Sequence, residues 1–209
     1  MCFYLKYVLR LVSMGSTTST LPKEDLEKLS TESGLSKSSV KMLHERFIQL
    51  AKHRDNETQE LFMTPLDFEE IPELLKNPLG FRLIEAFFAD AEVGDRKRVY
   101  FRDFVKVLSR FRPINKNNPH PWNSRESKLR FAFTMYDVNR SGTITKDEFT
   151  AILEKMIGEN VSKEKVESIA QRTMREADKD SDGSITFQEF CKAMEKTDIE
   201  QKMSFQFLS

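Results

Sequence analysis

Asp137-Val-Asn139-Arg-Ser141-Gly142-Thr143-Ile144-Thr145-Lys-Asp-Glu148 and Asp178-Lys-Asp180-Ser-Asp182-Gly183-Ser184-Ile185-Thr186-Phe-Gln-Glu189 are two twelve-residue stretches of one chain, with starts 41 residues apart. Each offers an oxygen at positions 1, 3, 5, 7, 9 and 12 and a glycine at position 6. A calcium ion takes about seven oxygens at loosely fixed distances; a tight loop supplies them from those positions, and the final glutamate gives both of its oxygens. The glycine belongs where the loop turns with positive φ, which strains any residue that has a Cβ. Both stretches read as EF-hand calcium loops, one ion each. The candidate ligands are Asp137, Asn139, Ser141, Thr143, Thr145 and Glu148 in the first loop. In the second they are Asp178, Asp180, Asp182, Ser184, Thr186 and Glu189.

Helical periodicity brackets each loop. Leu129, Ala132, Phe133 and Tyr136 lead into the first, and Phe149, Ile152, Leu153 and Met156 leave it. Val166, Ile169, Ala170 and Met174 precede the second, and Phe190, Ala193 and Met194 follow it. Ile144 and Ile185, at position 8 of each loop, are placed to pair as a short two-stranded bridge that joins the sites into one lobe. The first loop carries Asp137, Asp147 and Glu148 against Arg140 and Lys146, a net −1. The second has four carboxylates against Lys179, a net −3. Affinity follows carboxylate count, so the second loop is expected to bind more tightly.

The remaining composition excludes several classes. Among 209 residues, 33 basic and 33 acidic side chains cancel, which leaves no basic face for nucleic acid. Cys2 and Cys191 make no disulfide or metal framework and point to a reducing compartment. His44, His53 and His120 sit in no catalytic motif and read as surface residues, and no phosphate loop or dinucleotide fingerprint is present. The chain is not expected to be an enzyme.

A weaker pair of hands precedes the intact one. Val40, Leu43, Phe47, Ile48 and Leu50 form one apolar face and Phe68, Ile71, Leu74 and Leu75 another. The stretch between them, Ala51 to Asp67, is too long for the loop and lacks its glycine. Phe81, Ile84, Ala86, Phe87 and Phe88 precede a loop made basic by Arg96, Lys97 and Arg98, after which Phe104, Val107, Leu108 and Phe111 resume helical spacing. Both places keep the rhythm and lose the ligands, so they read as structural hands without calcium. The expected fold is all-α, with four EF-hands in two lobes, two calcium-binding and two degenerate, and short β bridges between paired loops. Residues 1–35 form an N-terminal extension, 36–111 the N-lobe, 112–124 a proline- and asparagine-rich linker, 125–197 the C-lobe and 198–209 a tail.

Met1 to Ser13 is apolar but interrupted by Lys6 and Arg10, and far short of the roughly 20 residues that span a bilayer. It fits a short interfacial helix better than a secretory signal. Met14-Gly15-Ser16-Thr17-Thr18-Ser19 matches the N-myristoylation signal, and Gly15 is the candidate acylation site only if translation starts at Met14.

Several further motifs carry a resemblance. They are Ile71-Pro-Glu-Leu74, Asn77-Pro-Leu-Gly80, Ala86-Phe-Phe88, Tyr100-Phe-Arg with Phe104, Phe111-Arg-Pro-Ile114, Asn123-Ser-Arg125, Phe131-Ala-Phe133, Glu176-Ala-Asp178, and the tail Glu200-Gln-Lys-Met-Ser204 with Phe207-Leu208. Together, from about Met14 to the C-terminus, they resemble the calcineurin B homologous proteins; the first thirteen residues and the long Ala51–Asp67 loop depart from that family. The resemblance implies a myristoylated calcium-binding adaptor, cytoplasmic and peripheral at the plasma membrane and endomembranes. It implies that the partner is an amphipathic helix in the cytoplasmic tail of a sodium/proton exchanger, whose activity, stability and trafficking it supports. The alternative is a calcineurin-type phosphatase regulator or inhibitor, with the calcineurin catalytic subunit as partner. A content of 17 Phe and 9 Met agrees with helix-in-groove recognition.

Overall fold

The computed structural model describes residues 21–91, 97–115, 119–158 and 161–204. They fall into two compact units. One runs up to Lys128 and takes in the chain again from Glu200; the other is Leu129–Ile199.

The first unit contains α1 (Lys23–Ser33), α2 (Lys37–Leu50), β1 (His53–Arg54), β2 (Leu61–Met63), α3 (Pro65–Glu69), α4 (Pro72–Leu75), α5 (Gly80–Asp90), β3 (Val99–Tyr100) and α6 (Phe101–Ser109). Local chemistry sets several of these boundaries. Ser36 starts α2 by accepting the Ser39 amide at 3.2 Å. Asp67 accepts the Thr64 amide at 2.7 Å, and Asp103 accepts the Tyr100 amide at 3.1 Å, so α3 and α6 open on the same device. Pro72 divides the apolar face that the sequence places on one helix. Its ring fixes φ and its nitrogen has no proton to donate, so the chain breaks after α3 and restarts at α4. Gly80 opens α5 where a Cβ would lie 1.9 Å from the Leu74 carbonyl oxygen, a position only glycine can fill.

Phenylalanines dominate the core of this unit. Phe104 lies between Phe47 and Phe87, with centroids 5.4 and 5.9 Å away, and Phe68 meets Phe87 at 4.9 Å. These four rings are almost fully buried, as are Leu43, Leu108 and Phe111. α1, which the sequence assigns to an extension, contributes buried Leu26 and Leu29. The expected bridge between the two degenerate loops is a three-stranded antiparallel sheet in the order β1-β2-β3, with Phe62 opposite Tyr100 and Met63 opposite Val99.

Lys128 closes the first unit. Its side chain is wholly buried, and its ammonium donates to the carbonyls of Arg110 at 2.5 Å, Arg112 at 3.1 Å and Met203 at 3.0 Å. Ser204 also donates to the Arg112 carbonyl, at 3.2 Å. Three carbonyl dipoles replace the water that a buried ammonium loses. They tie residues 203–204 to the end of α6, so these tail residues belong to the first unit rather than standing as a separate tail.

α7 (Arg125–Tyr136) begins in the first unit and continues into the second, which holds β4 (Thr143–Thr145), α8 (Lys146–Ile157), α9 (Lys163–Ala177), β5 (Ser184–Thr186) and α10 (Phe187–Ala193); α11 (Ile199–Lys202) returns the chain to the first unit at Glu200. β4 and β5 pair antiparallel with Ile144 opposite Ile185, both buried, as the position-8 spacing predicts. Phe133 meets Phe187 and Phe190 edge-on, both at 5.5 Å. Three members of this unit's predicted stripes, Met156, Ile169 and Ala193, stand exposed instead. Among the described residues no helix is long and apolar enough to cross a membrane. Met1–Ser13, the Gly15 signal and Phe207-Leu208 lie outside the described residues.

Candidate metal centre

Each intact loop is followed by a helix whose N-cap is the loop's own ninth residue, Thr145 for α8 and Thr186 for α10. Thr145 accepts the Glu148 amide at 3.3 Å and donates its hydroxyl to Glu148 Oε2 at 2.8 Å; Thr186 and Glu189 repeat the pair at 3.3 and 2.8 Å. The reciprocal cap that starts α8 and α10 therefore also orients the twelfth-position carboxylate. Sequence reading found the threonines as oxygens and missed this positioning role, which the Thr-x-x-Glu spacing carries.

Backbone amides aim the other carboxylates inward. Asp137 accepts from Ser141 and Gly142 at 2.9 Å each, and Asp178 from Ser181 at 2.7 Å and Gly183 at 2.9 Å. Glu148 Oε1 reaches across to the amides of Val138 and Asn139, at 3.0 and 3.1 Å, and Glu189 Oε1 to that of Lys179 at 2.7 Å. Gly142 and Gly183 turn with φ of 88° and 90°. Arg140 and Ser181, both at position 4, adopt φ of 58° and 62°, a left-handed conformation in a non-glycine residue that neither loop announces in its sequence.

The loops differ in charge density as expected. Asp178, Asp180 and Asp182 each place a carboxylate oxygen within 4.8 Å of the others. At Asp180 the amide of Asp182 favours the ionised form, yet burial and the neighbouring charges of Asp182, Glu189 and Asp178 outweigh it and raise the carboxyl above its ordinary value. Such crowding is what a divalent cation relieves. The amides of Thr186 and Lys179, with the Thr186 hydroxyl, lower Glu189 to about 2. Burial raises Glu148, but the amides of Thr145, Asn139 and Val138 and the Thr145 hydroxyl leave it lowered overall. This all-oxygen donor set suits a hard cation of calcium's size.

The degenerate loops use another chemistry. Asp55 accepts the amides of Glu57 at 2.9 Å and Thr58 at 3.1 Å, the Tyr100 hydroxyl at 2.9 Å and the Arg98 guanidinium at 3.0 Å. Arg98 also lies 4.7 Å over the Phe62 ring. The first loop thus offers its carboxylate to a side-chain cation from the second. Sequence reading saw the basic residues only as lost ligands. The Thr58 and Glu57 amides, then Tyr100, hold Asp55 at about 2. A depressed carboxyl contributes stability above the ordinary carboxylate range and loses it as pH falls through the folded value. Asp55→Asn is therefore expected to lower the melting temperature at pH 7 with or without calcium. The gap from the parent protein should close between about pH 4 and pH 2; a pH-independent gap would contradict this reading.

His53 is exposed as the sequence predicts, whereas His44 and His120 are partly covered. His44 is half-buried edge-on to Phe101 at 4.8 Å, and burial lowers its pKa. His120 accepts the Trp122 amide at 3.2 Å and is likewise lowered by burial.

Paired helix-loop-helix hands with oxygen-lined loops define an EF-hand protein, and the sequence profile of the EF-hand domain pair matches residues 126–195. Over whole chains, the protein is 34% identical to the calcineurin B subunit of Naegleria gruberi across 91% of this chain and 98% of that one. It is 35% identical to the type 2 calcineurin B subunit of Dictyostelium discoideum, across 85% and 87%. It is 33% identical to calcineurin B homologous protein 3 of Gallus gallus, across 94% and 96%. The chain belongs to the calcium-binding family of calcineurin B subunits and calcineurin B homologous proteins.

Proposed function

We propose that the protein is a non-catalytic calcium-binding regulatory subunit. In this reading it holds two ions, one on Asp137, Asn139, Ser141, Thr143, Thr145 and Glu148 and the other on Asp178, Asp180, Asp182, Ser184, Thr186 and Glu189. Its partner is an amphipathic helix from the cytoplasmic tail of a sodium/proton exchanger, whose activity, stability and trafficking it supports. A chain started at Met14 attaches to membranes through myristate on Gly15 as well as through that partner.

One observation carries the partner reading. Leu66, Leu75 and Phe81 are 68%, 68% and 60% exposed on α3, α4 and the start of α5. These same elements, with α6, wall a small apolar cavity lined by Phe68, Leu74, Leu83, Phe87 and Phe104. Large apolar side chains exposed beside an apolar hollow suit the face of an amphipathic helix with anchors at i, i+3, i+4 and i+7.

The test is titration calorimetry of the calcium-loaded protein with an exchanger juxtamembrane peptide and, separately, with a calcineurin catalytic-subunit helix. Submicromolar binding of the first, weakened at least about tenfold by Phe81→Glu, is the expected result. Tight binding of the second alone would assign the protein to phosphatase regulation instead.

A further inference from the structure

A second hollow in the first unit shares no lining residue with the apolar cavity just described. It is a cleft of about 610 Å³ bounded by α1, α2, the Arg54–Leu61 turn and the start of α6. Its floor is apolar, made of Leu29, Phe47, Ile48, Leu61 and Phe101. Phe47 and Leu29 are buried, while Ile48, Leu61 and Phe101 are half-exposed. The size is that of a pocket that encloses a small ligand, or a few side chains from one face of a helix.

The rim is charged, and part of it is already spoken for. Arg102 bonds Glu32 at 3.0 Å, Arg54 donates to the Gln59 carbonyl at 2.9 Å, and Asp103 caps α6. Asp25 and Glu60 remain at the rim as exposed carboxylates with no ion-pair partner among the described residues, alongside Lys28, one turn from Asp25.

We infer that this cleft seats the protein's own apolar segment Met1–Ser13. The first described residue, Leu21, lines the cleft, and the segment is joined to it by a short stretch of chain. Met14–Thr20 is the tether, and seven residues reach at most about 25 Å. The segment carries Phe3, Tyr4, Leu5, Tyr7, Val8, Leu9, Leu11 and Val12, side chains costly to leave in water together. Lys6 and Arg10, four apart, share one face of a helix and match the two unpaired rim carboxylates. A tether this short raises the local concentration of the segment to the millimolar range, so modest affinity fills the cleft without a second molecule. The intramolecular seat hides an interfacial helix from membranes until something displaces it.

The test uses the full calcium-loaded chain without lipid. Cys191→Ser leaves Cys2 as the single thiol, and a nitroxide placed there broadens the amide resonances of nearby residues. Leu29, Ile48, Leu61 and Phe101 are expected to lose most of their intensity, while Leu66, Leu75 and Phe81 keep theirs. Adding Leu5→Glu and Leu9→Glu, which alter nothing in the described fold, should restore the cleft signals and leave the rest of the spectrum unchanged. The proposal fails if the cleft signals are unaffected by the label, if broadening falls instead on the Leu66–Leu75–Phe81 face, or if it survives the two glutamates.

Discussion

A chain carrying both Glu148→Gln and Glu189→Gln is expected to show no calcium binding at micromolar concentration. The twelfth-position glutamate is the one side chain that closes an EF-hand loop with two oxygens, and glutamine offers one neutral oxygen in its place. Each single substitution should weaken its own loop by about 100-fold or more, the span between sensor sites and weak extracellular ones. Glu189→Gln should show the larger loss, because it removes charge from the loop in which Asp178, Asp180 and Asp182 already lie within 4.8 Å of one another. Titration calorimetry on the parent should give two ions per chain. Three or four tight sites would require the degenerate loops to bind, against the Arg98 guanidinium that already meets the Asp55 carboxylate.

The second large effect belongs to the core. Phe104→Ala should destabilise the first unit by about 3–5 kcal/mol, because it removes a ring that is 1% exposed and leaves a cavity that its rigid neighbours cannot collapse into. The ring joins α6 to α2 through Phe47 and to α5 through Phe87, so the loss falls on contacts that assemble the unit rather than on one helix. Typical domains have only about 5–15 kcal/mol in total, so the first unit should unfold at markedly lower urea with calcium present or absent. A shift confined to the calcium-free protein would point to the second unit instead.

The intact hands were legible because metal coordination is local. Oxygens at fixed spacing and one glycine all sit within twelve residues, and the pairing of Ile144 with Ile185 follows from equal positions in two similar loops. The degenerate hands were legible as rhythm only. Asp55 and Arg98 are 43 residues apart, and nothing in either loop says that a guanidinium in one will meet a carboxylate in the other. Pro72 announces the break after α3, but a periodicity count that looks only at apolar residues passes over it. Met156 and Ile169 keep helical spacing yet stand exposed, since periodicity identifies a face without saying what covers it. Lys128 is the least legible of all. A lysine in a helix reads as a surface residue, and its burial depends on carbonyls contributed from positions 110, 112 and 203.

That lysine bears on how the chain is made. Synthesis runs from the N-terminus at about 5–20 residues per second, and domains ordinarily fold as they emerge. The first unit cannot finish that way. α1 to α6 and the sheet are complete once Lys128 has left the ribosome, but the ammonium has only part of its acceptor set until Met203, 75 residues further on, has been added. The half emerging first thus becomes whole last, and a nascent chain arrested before residue 203 should hold the second unit folded beside a first unit still open to chaperones and proteases.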